Sequence, residues 1–222
     1  MVESKEAVKN EVVEKEVVEE EFVDNSILLF NKYSNNVNIR DPALKSYINL
    51  KPIIVPRNFG RQETKRFWKS EDMHVVERLI CKMMVSGHKG KKHNFSSGRN
   101  SGKFNSNFKN CMSAFEIIES KTKKNPLQVL VIAIENSAPM EEVTNIEYGG
   151  IRHPKAVDTA PQRRVDLSLR WITQGAYMKC TKSKTSAGQA LASEIMNSAK
   201  NDNMSFAITK KTEAERQAAA SR

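Results

Sequence analysis

Three observations predict a mainly α-helical bundle body with a protruding two-stranded β-hairpin arm. Apolar residues recur at helical spacing in several separate stretches of the 222-residue chain. One stretch, residues 140–158, loses that period and holds two short extended runs around Gly149-Gly150. No other run offers those strands a third partner.

The elements follow in chain order. Residues 1–24 place Val12, Val13, Val17, Val18, Phe22 and Val23 among nine acids, which predicts an acidic, mobile extension with at most a frayed helix. From residue 25 to 222 the pattern predicts a single helical domain. Residues 25–69 mix short apolar groups with Pro42, Pro52 and Pro56, which reads as an extended, docked segment. Ser70 to Asp72 suit a helix start, and VVERLICKMMV carries one apolar stripe up to Gly87. A polar stretch rich in Gly, Ser, Asn and Lys follows, predicting a solvent loop at about 93–110. A second helix is expected around 112–120. Asn125 and Pro126 then open LQVLVIAIENS as a third, since Pro suits a first turn.

The hairpin arm is expected at about 140–158, with Pro154 confining its strands to edges. A two-stranded ribbon is marginal alone, so it reads as an arm that something else supports. RRVDLSLRWITQGAY resumes a helix through Val165, Leu169, Ile172 and Ala176, ending near Gly175. Another spans roughly 185–200, with alanines that allow close approach. Thr212 and Glu215 form a capping box for a basic terminal helix.

The net charge of +10 conceals two unlike parts. Nine acids and three lysines give residues 1–24 a net of −6, leaving +16 on the other 198 residues. That density favours a polyanionic partner, and no amphipathic helix has a polar face filled with Lys and Arg as a membrane surface would require. No apolar run approaches the length of a membrane span. The acidic start fits neither a secretory signal nor a mitochondrial leader, which points to cytoplasm or nucleus. Three widely spaced cysteines, Cys81, Cys111 and Cys180, indicate neither a disulfide framework nor a zinc ribbon.

Little supports catalysis, and no cofactor is expected. His74, His88, His93 and His153 are too scattered for a metal triad; His74 is expected on a helix surface and His88 in a loop. Neither GxGxxG nor a Walker lysine motif is present, and Glu141 with Glu142 adjoins a hairpin rather than a pocket. Gly87-His88-Lys89-Gly90 matches the GxxG loop of KH domains, but the sheet those domains need is missing, so a flexible basic loop is the better account.

The bases instead form clusters. Arg57, Arg61, Lys65, Arg66 and Lys69 precede the first long helix, and Lys89, Lys91 and Lys92 follow it. Arg163, Arg164 and Arg170 lie in the helix after the arm, and Lys210, Lys211 and Arg216 near the end. Clusters distant in sequence can converge on one phosphate backbone, each charge displacing counterions. Phe67, Trp68 and Trp171 lie among them; Trp68 is a stacking candidate, while the helical setting of Trp171 points to the core.

With these motifs in order, the chain from Ile27 to Arg222 resembles the small-subunit ribosomal protein S-seven family, called S-five in its eukaryotic form. The similarity is carried by LLFNKYSNNVNI, GRQETKRFWK, VERLICKMM followed by GKK, AFEIIE, NPLQVLVIAIENSAP, the GG turn with AVDTAPQRRVDLSLRW, and SEIMNSAK with SFAITKK and EAER. The resemblance implies a structural, non-enzymatic component of the small ribosomal subunit. It would bind the 3′ major (head) domain of small-subunit rRNA, support head assembly beside neighbouring head proteins, and lie near the exit-site path of mRNA and tRNA. It also implies a cytoplasmic location on the ribosome, with assembly in the nucleolus. Carried over by residue, rRNA binding falls on Arg57, Arg61, Lys65, Arg66, Lys69, Lys91, Lys92, Arg163, Arg164 and Arg170. The arm role falls on Gly149, Gly150, Arg152 and Lys155, and the C-terminal RNA-facing element on Lys210, Lys211 and Arg216. The interval between Lys92 and Cys111 is longer than the family's, and the arm tip is less basic. The alternative is a free regulatory protein that binds mRNA outside the ribosome.

Overall fold

A computed structural model describes residues 27–58, 70–87 and 100–222. Among them are seven helices: α1 (Pro42–Lys45), α2 (Val75–Met84), α3 (Phe104–Thr122), α4 (Pro126–Ser137), α5 (Pro161–Cys180), α6 (Ala187–Ala199) and α7 (Phe206–Ala220). A single hairpin, β1 (Glu141–Tyr148) with β2 (Ile151–Asp158), interrupts them. The expected fold class is therefore the observed one, with a core built by the helices and by Leu29, Phe30, Tyr33 and Ile48 of the segment before α2.

Helix α6 is the hub, touching α3, α4, α5 and α7. Its buried face is Ala190, Leu191, Ala192 and Ile195, small enough for neighbouring backbones to come close. Gly188 shows how close: a Cβ there would lie 3.2 Å from the carbonyl oxygen of Asn110 in α3. Gly175 performs the same service from α5, since its Cβ would meet the Glu194 carboxylate and the Phe206 Cβ at 2.8 Å. The expected stop at Gly175 is thus corrected. The helix runs on to Cys180, and the glycine is there for packing rather than termination.

The helix starts obey local chemistry. Asn125 Oδ1 accepts from Leu127 N–H at 3.0 Å ahead of Pro126, and Ser186 with Gln189 closes a capping box on α6. Helix α7 begins at Ser205, whose hydroxyl oxygen accepts from the Ala207 and Ile208 N–H groups, and not at Thr212. Thr212 lies inside the helix and donates to Ile208 O, while Glu215 reaches across to accept from Met140 N–H at 3.1 Å. Helix α3 likewise starts at Phe104, ahead of the expected Met112, so residues 104–110 of the expected loop are helical. Phe104, Phe108, Cys111, Phe115 and Ile118 form one apolar stripe that the intervening Asn, Ser and Lys residues conceal.

Residues 27–58 wrap the bundle as a strap that holds a tight turn at Phe30–Lys32 as well as α1. Phe30 meets Tyr33, Phe108 and Phe115 edge to face with ring centroids 5.5–6.4 Å apart. Further along, Asn38 exchanges hydrogen bonds with Gln128 of α4, and the Arg40 N–H donates to Glu135 at 2.6 Å.

The arm pairs Tyr148 with Ile151, Glu147 with Arg152 and Asn145 with Pro154. Gly149 and Gly150 adopt φ of 58° and 81°, the left-handed geometry of a two-residue turn that matches strand twist. The base of the arm is half-buried, resting on α7, and further out only Ile146 is. Glu141 pairs with Arg222, and Glu142 takes a two-pronged contact from Arg163. The paired acids beside the hairpin are therefore its anchors to the body.

Candidate nucleic-acid interface

The candidate cations divide into those turned outward and those already neutralised. Arg57, at the end of the strap, has 67 % of its side chain exposed, with Nε 3.8 Å from buried Glu77. Its backbone N–H donates to the same carboxylate at 2.7 Å. Arg170 is exposed on α5. Arg163 is 56 % exposed and donates to Glu142 from Nε at 2.5 Å and from Nη2 at 2.7 Å. That hydrogen-bonded pair raises the Arg163 pKa further, so the side chain stays cationic.

Arg164, one residue on, points the other way. Its side chain is 6 % exposed and its Nη2 lies 2.8 Å from Asp41 Oδ2, tying α5 to the first turn of α1. The expectation that Arg164 faces RNA beside Arg163 is corrected to a structural role. Its position should have said so: Arg164 precedes Ser168 by four and Ile172 by eight, the buried face of α5. Arg78 is a second buried cation of this kind, donating to Tyr47 O at 2.8 Å and to Asp166 at 3.3 Å.

In the C-terminal element Lys210 pairs with Glu213 and lies 5.9 Å from the Phe206 ring centre. Lys211 donates to the Asn136 carbonyl at 2.9 Å, joining α7 to the end of α4. Arg216 is exposed. On the arm, Gly149, Gly150, Arg152 and Lys155 are all exposed, and Arg152 lies 3.6 Å from Glu147. Arg61, Lys65, Arg66, Lys69, Lys89, Lys91, Lys92 and Trp68 lie outside the described residues, as do His88 and His93.

His74 is not a surface residue. It is the buried N-cap of α2: Nδ1 accepts from Val76 N–H at 3.2 Å, and its own N–H donates to Glu77 at 2.9 Å. Burial lowers its pKa to about 3, so the ring is neutral. Nδ1 is the acceptor, so Nε2 carries the proton, and among the described residues it meets no acceptor. Burial pushes the Glu77 carboxyl up, opposed by the N–H groups of Arg57 and His74. Burial also raises the Cys111 thiol to about 12, which makes it inert as a nucleophile. Among the described residues no group of three His, Cys, Asp or Glu side chains could hold a metal. No described helix is long and apolar enough to cross a membrane.

Two of the clefts among the described residues are large. One, of about 600 Å³, lies between the strap and the α3–α4 turn, where Glu116 and Glu119 offset Lys32, Lys123 and Lys124. The other, of about 520 Å³, lies between the end of α2 and the outer face of α5, and its charged lining residues among the described ones are Lys82 and Arg170. The sequence clusters passed over Lys82. The signal available was its place in the last turn of a helix whose stripe buries its neighbours.

The described body thus keeps paired charges inside, turns arginines outward and projects a thin arm. The sequence profile of ribosomal protein S7p/S5e matches residues 44–222. Similar proteins include the small ribosomal subunit protein uS7 of Nanoarchaeum equitans, 47% identical over 195 residues, covering 87% of this chain and 98% of the relative. That of Archaeoglobus fulgidus is 49% identical over 197 residues, covering 88% and 95%. That of Methanosphaera stadtmanae is 47% identical over 192 residues, covering 86% and 96%. The chain belongs to the ribosomal protein S7p/S5e family, and so to the structural, non-enzymatic proteins of the ribosome.

Proposed function

We propose that this chain binds the 3′ major (head) domain of small-subunit rRNA, supports assembly of the head and lies near the exit-site path of mRNA and tRNA. Assembly would begin in the nucleolus, and function would follow on cytoplasmic ribosomes. Family membership over residues 44–222 carries this reading, and the outward-facing Arg57, Arg163 and Arg170 support it. Arg61, Lys65, Arg66, Lys69, Lys89, Lys91 and Lys92 join them in this reading as phosphate contacts. The arm, through Arg152 and Lys155 flanking Gly149-Gly150, and the terminal element, through Lys210, Lys211 and Arg216, extend the contact toward the exit-site path. Residues 25–222 act in it as one RNA-binding unit, to which the net −6 of residues 1–24 adds nothing attractive for phosphate.

The mechanism is counterion release: each lysine or arginine that meets a phosphate frees a condensed cation, so affinity falls linearly with salt on logarithmic axes. Arg163 must exchange part of its hydrogen bonding with Glu142 for phosphate, a small loss because an exposed ion pair contributes at most about 1 kcal/mol. Filter binding of a head-domain rRNA fragment between 50 and 300 mM salt tests the reading. Arg163→Ala or Arg170→Ala should each reduce the slope by about one. Arg164→Ala should leave the slope alone and lower folding stability by about 2 kcal/mol, because Asp41 loses its partner. Salt-independent affinity would overturn the mechanism. Sedimentation of the chain away from small subunits would favour a free regulator of mRNA instead.

A further inference from the structure

Two consecutive carboxylates fasten the arm to the body, and they point opposite ways. Successive residues of a strand face opposite sides of a ribbon, so Glu141 reaches Arg222 beyond α7 while Glu142 reaches Arg163 in the first turn of α5. We infer that Glu142 is a positioning residue that stands in for phosphate on Arg163, and that RNA phosphate, by displacing it, frees the base of the arm from α5. This inference rests on the proposed RNA-binding function and adds to it a coupling between body and arm.

The geometry of the pair carries the first half. Arg163 Nε–H donates to Glu142 Oε1 at 2.5 Å and Nη2–H to Oε2 at 2.7 Å, two parallel bonds along one edge of the guanidinium. Carboxylate and phosphate oxygens accept from that fork alike, so the same donors suit either anion. Asp166 also draws Arg163, but it is committed to buried Arg78 at 3.3 Å. Because Arg163 is exposed, a phosphate can reach the pair from water, and the attraction it replaces is weak. Arg164, sealed against Asp41, offers no such exchange.

The second half follows from where the other fastenings lie. Met140 N–H donates to Glu215 at 3.1 Å and Glu141 pairs with Arg222, both on the α7 side of the ribbon. Thr159 N–H donates to Met140 O at 2.9 Å and closes the ribbon's base. With Glu142 released these contacts remain, so the ribbon can pivot about α7. Tyr148 lies about 20 Å of strand beyond Glu142, and a tilt of about 10° at the base moves it by about 3.5 Å. The coupling is reciprocal: a partner that draws the tip away from α5 must also open Arg163 to phosphate.

Double electron-electron resonance on the full chain reads the arm. Spin labels are placed at Asn145→Cys and Lys121→Cys in a Cys180→Ser background, Cys81 and Cys111 being buried. In the free chain the distance distribution should be narrow with Glu142 and Arg163 in place and should broaden in Glu142→Gln and in Arg163→Ala. The head-domain rRNA fragment should broaden or shift it with both residues in place. Filter binding reads the other end: Glu142→Gln should tighten binding of the fragment about threefold, and should change it by less than about 1.5-fold once Arg163 is replaced by Ala.

A distribution that neither substitution alters overturns the inference, as does one that the bound fragment leaves unmoved. Equal tightening by Glu142→Gln with and without Arg163 reduces Glu142 to a general repulsion of RNA, and weaker binding makes it a support for Arg163 rather than its competitor; either overturns the inference and leaves the proposed function standing. Failure of the fragment to bind the chain with both residues in place overturns the reading beneath.

Discussion

The junction of α5, α6 and α7 and the tip of the arm both carry charge, and they use it in opposite ways. At the junction Glu194 is fully buried, ion-paired with Lys179 Nζ at 2.5 Å and accepting from Ser205 Oγ–H at 2.7 Å and Ala207 N–H at 3.2 Å. One carboxylate thereby fixes the start of α7 and the side of α5. At the tip Glu147 and Arg152 face water 3.6 Å apart, and Tyr148 and Ile151 are 70% and 63% exposed. Nothing in the body depends on the tip, so its residues are free to answer to a partner. The junction answers to the fold alone.

Glu194→Ala tests the junction most severely. It removes the buried acceptor shared by Ser205 and Ala207 and the ion-pair partner of Lys179, leaves a cavity, and should lower stability by about 3 kcal/mol in urea unfolding. Glu147→Ala should change it by no more than about 0.5 kcal/mol. Similar costs for the two would erase the distinction.

Acid titration sharpens the same contrast through His74, another group committed to the interior. Its folded pKa, about 3, lies below the unfolded value near 6.5, so the unfolded chain takes up the proton first. Its contribution is complete above pH 6.5 and is lost as pH falls from 6.5 toward 3. Between pH 7.5 and 5.5 the loss should be about 1 kcal/mol. His74→Asn keeps an acceptor at the N-cap and removes the titration, so its stability should lack that portion of the acid loss. Urea midpoints at the two pH values read the difference.

The smallest effect belongs to the arm. Tyr148→Ser with Ile151→Ser should alter stability by at most about 0.5 kcal/mol, because both side chains are already in water. A larger cost would mean that the tip touches the body.

Much of this division could be read from the chain before the structure. The Gly149-Gly150 pair, flanked by runs without helical period, announced the arm, and the alanines of residues 187–199 announced a helix approached closely by others. What escaped reading were cases where burial overrides polarity. Residues 104–110 look like loop because Asn, Ser and Lys surround two phenylalanines whose spacing of four becomes visible only once Cys111 and Phe115 extend the stripe. His74 resembles a surface residue because no sequence rule distinguishes an imidazole that caps a helix from one that faces water. Arg163 and Arg164 share a cluster in sequence and part by the roughly 100° turn between neighbours on a helix. Of the expected interface, the arm, Arg57, Arg163 and Arg170 lie on the surface as read, while Lys82 and the cleft it helps to line needed the packing of α2 on α5.

The position of α6 along the chain also sets a timetable. It is the last helix but one, yet α3, α4 and α5 all close upon it. During synthesis those three helices emerge with the faces meant for Leu191 and Ile195 still open to water. Only after residue 199 leaves the exit tunnel can the body shut around its hub, and only then does Glu194 meet Ser205 and set the direction of the final helix. The three helices that precede the hub therefore stay exposed until it follows them, the stage at which open apolar faces are prone to the wrong contacts.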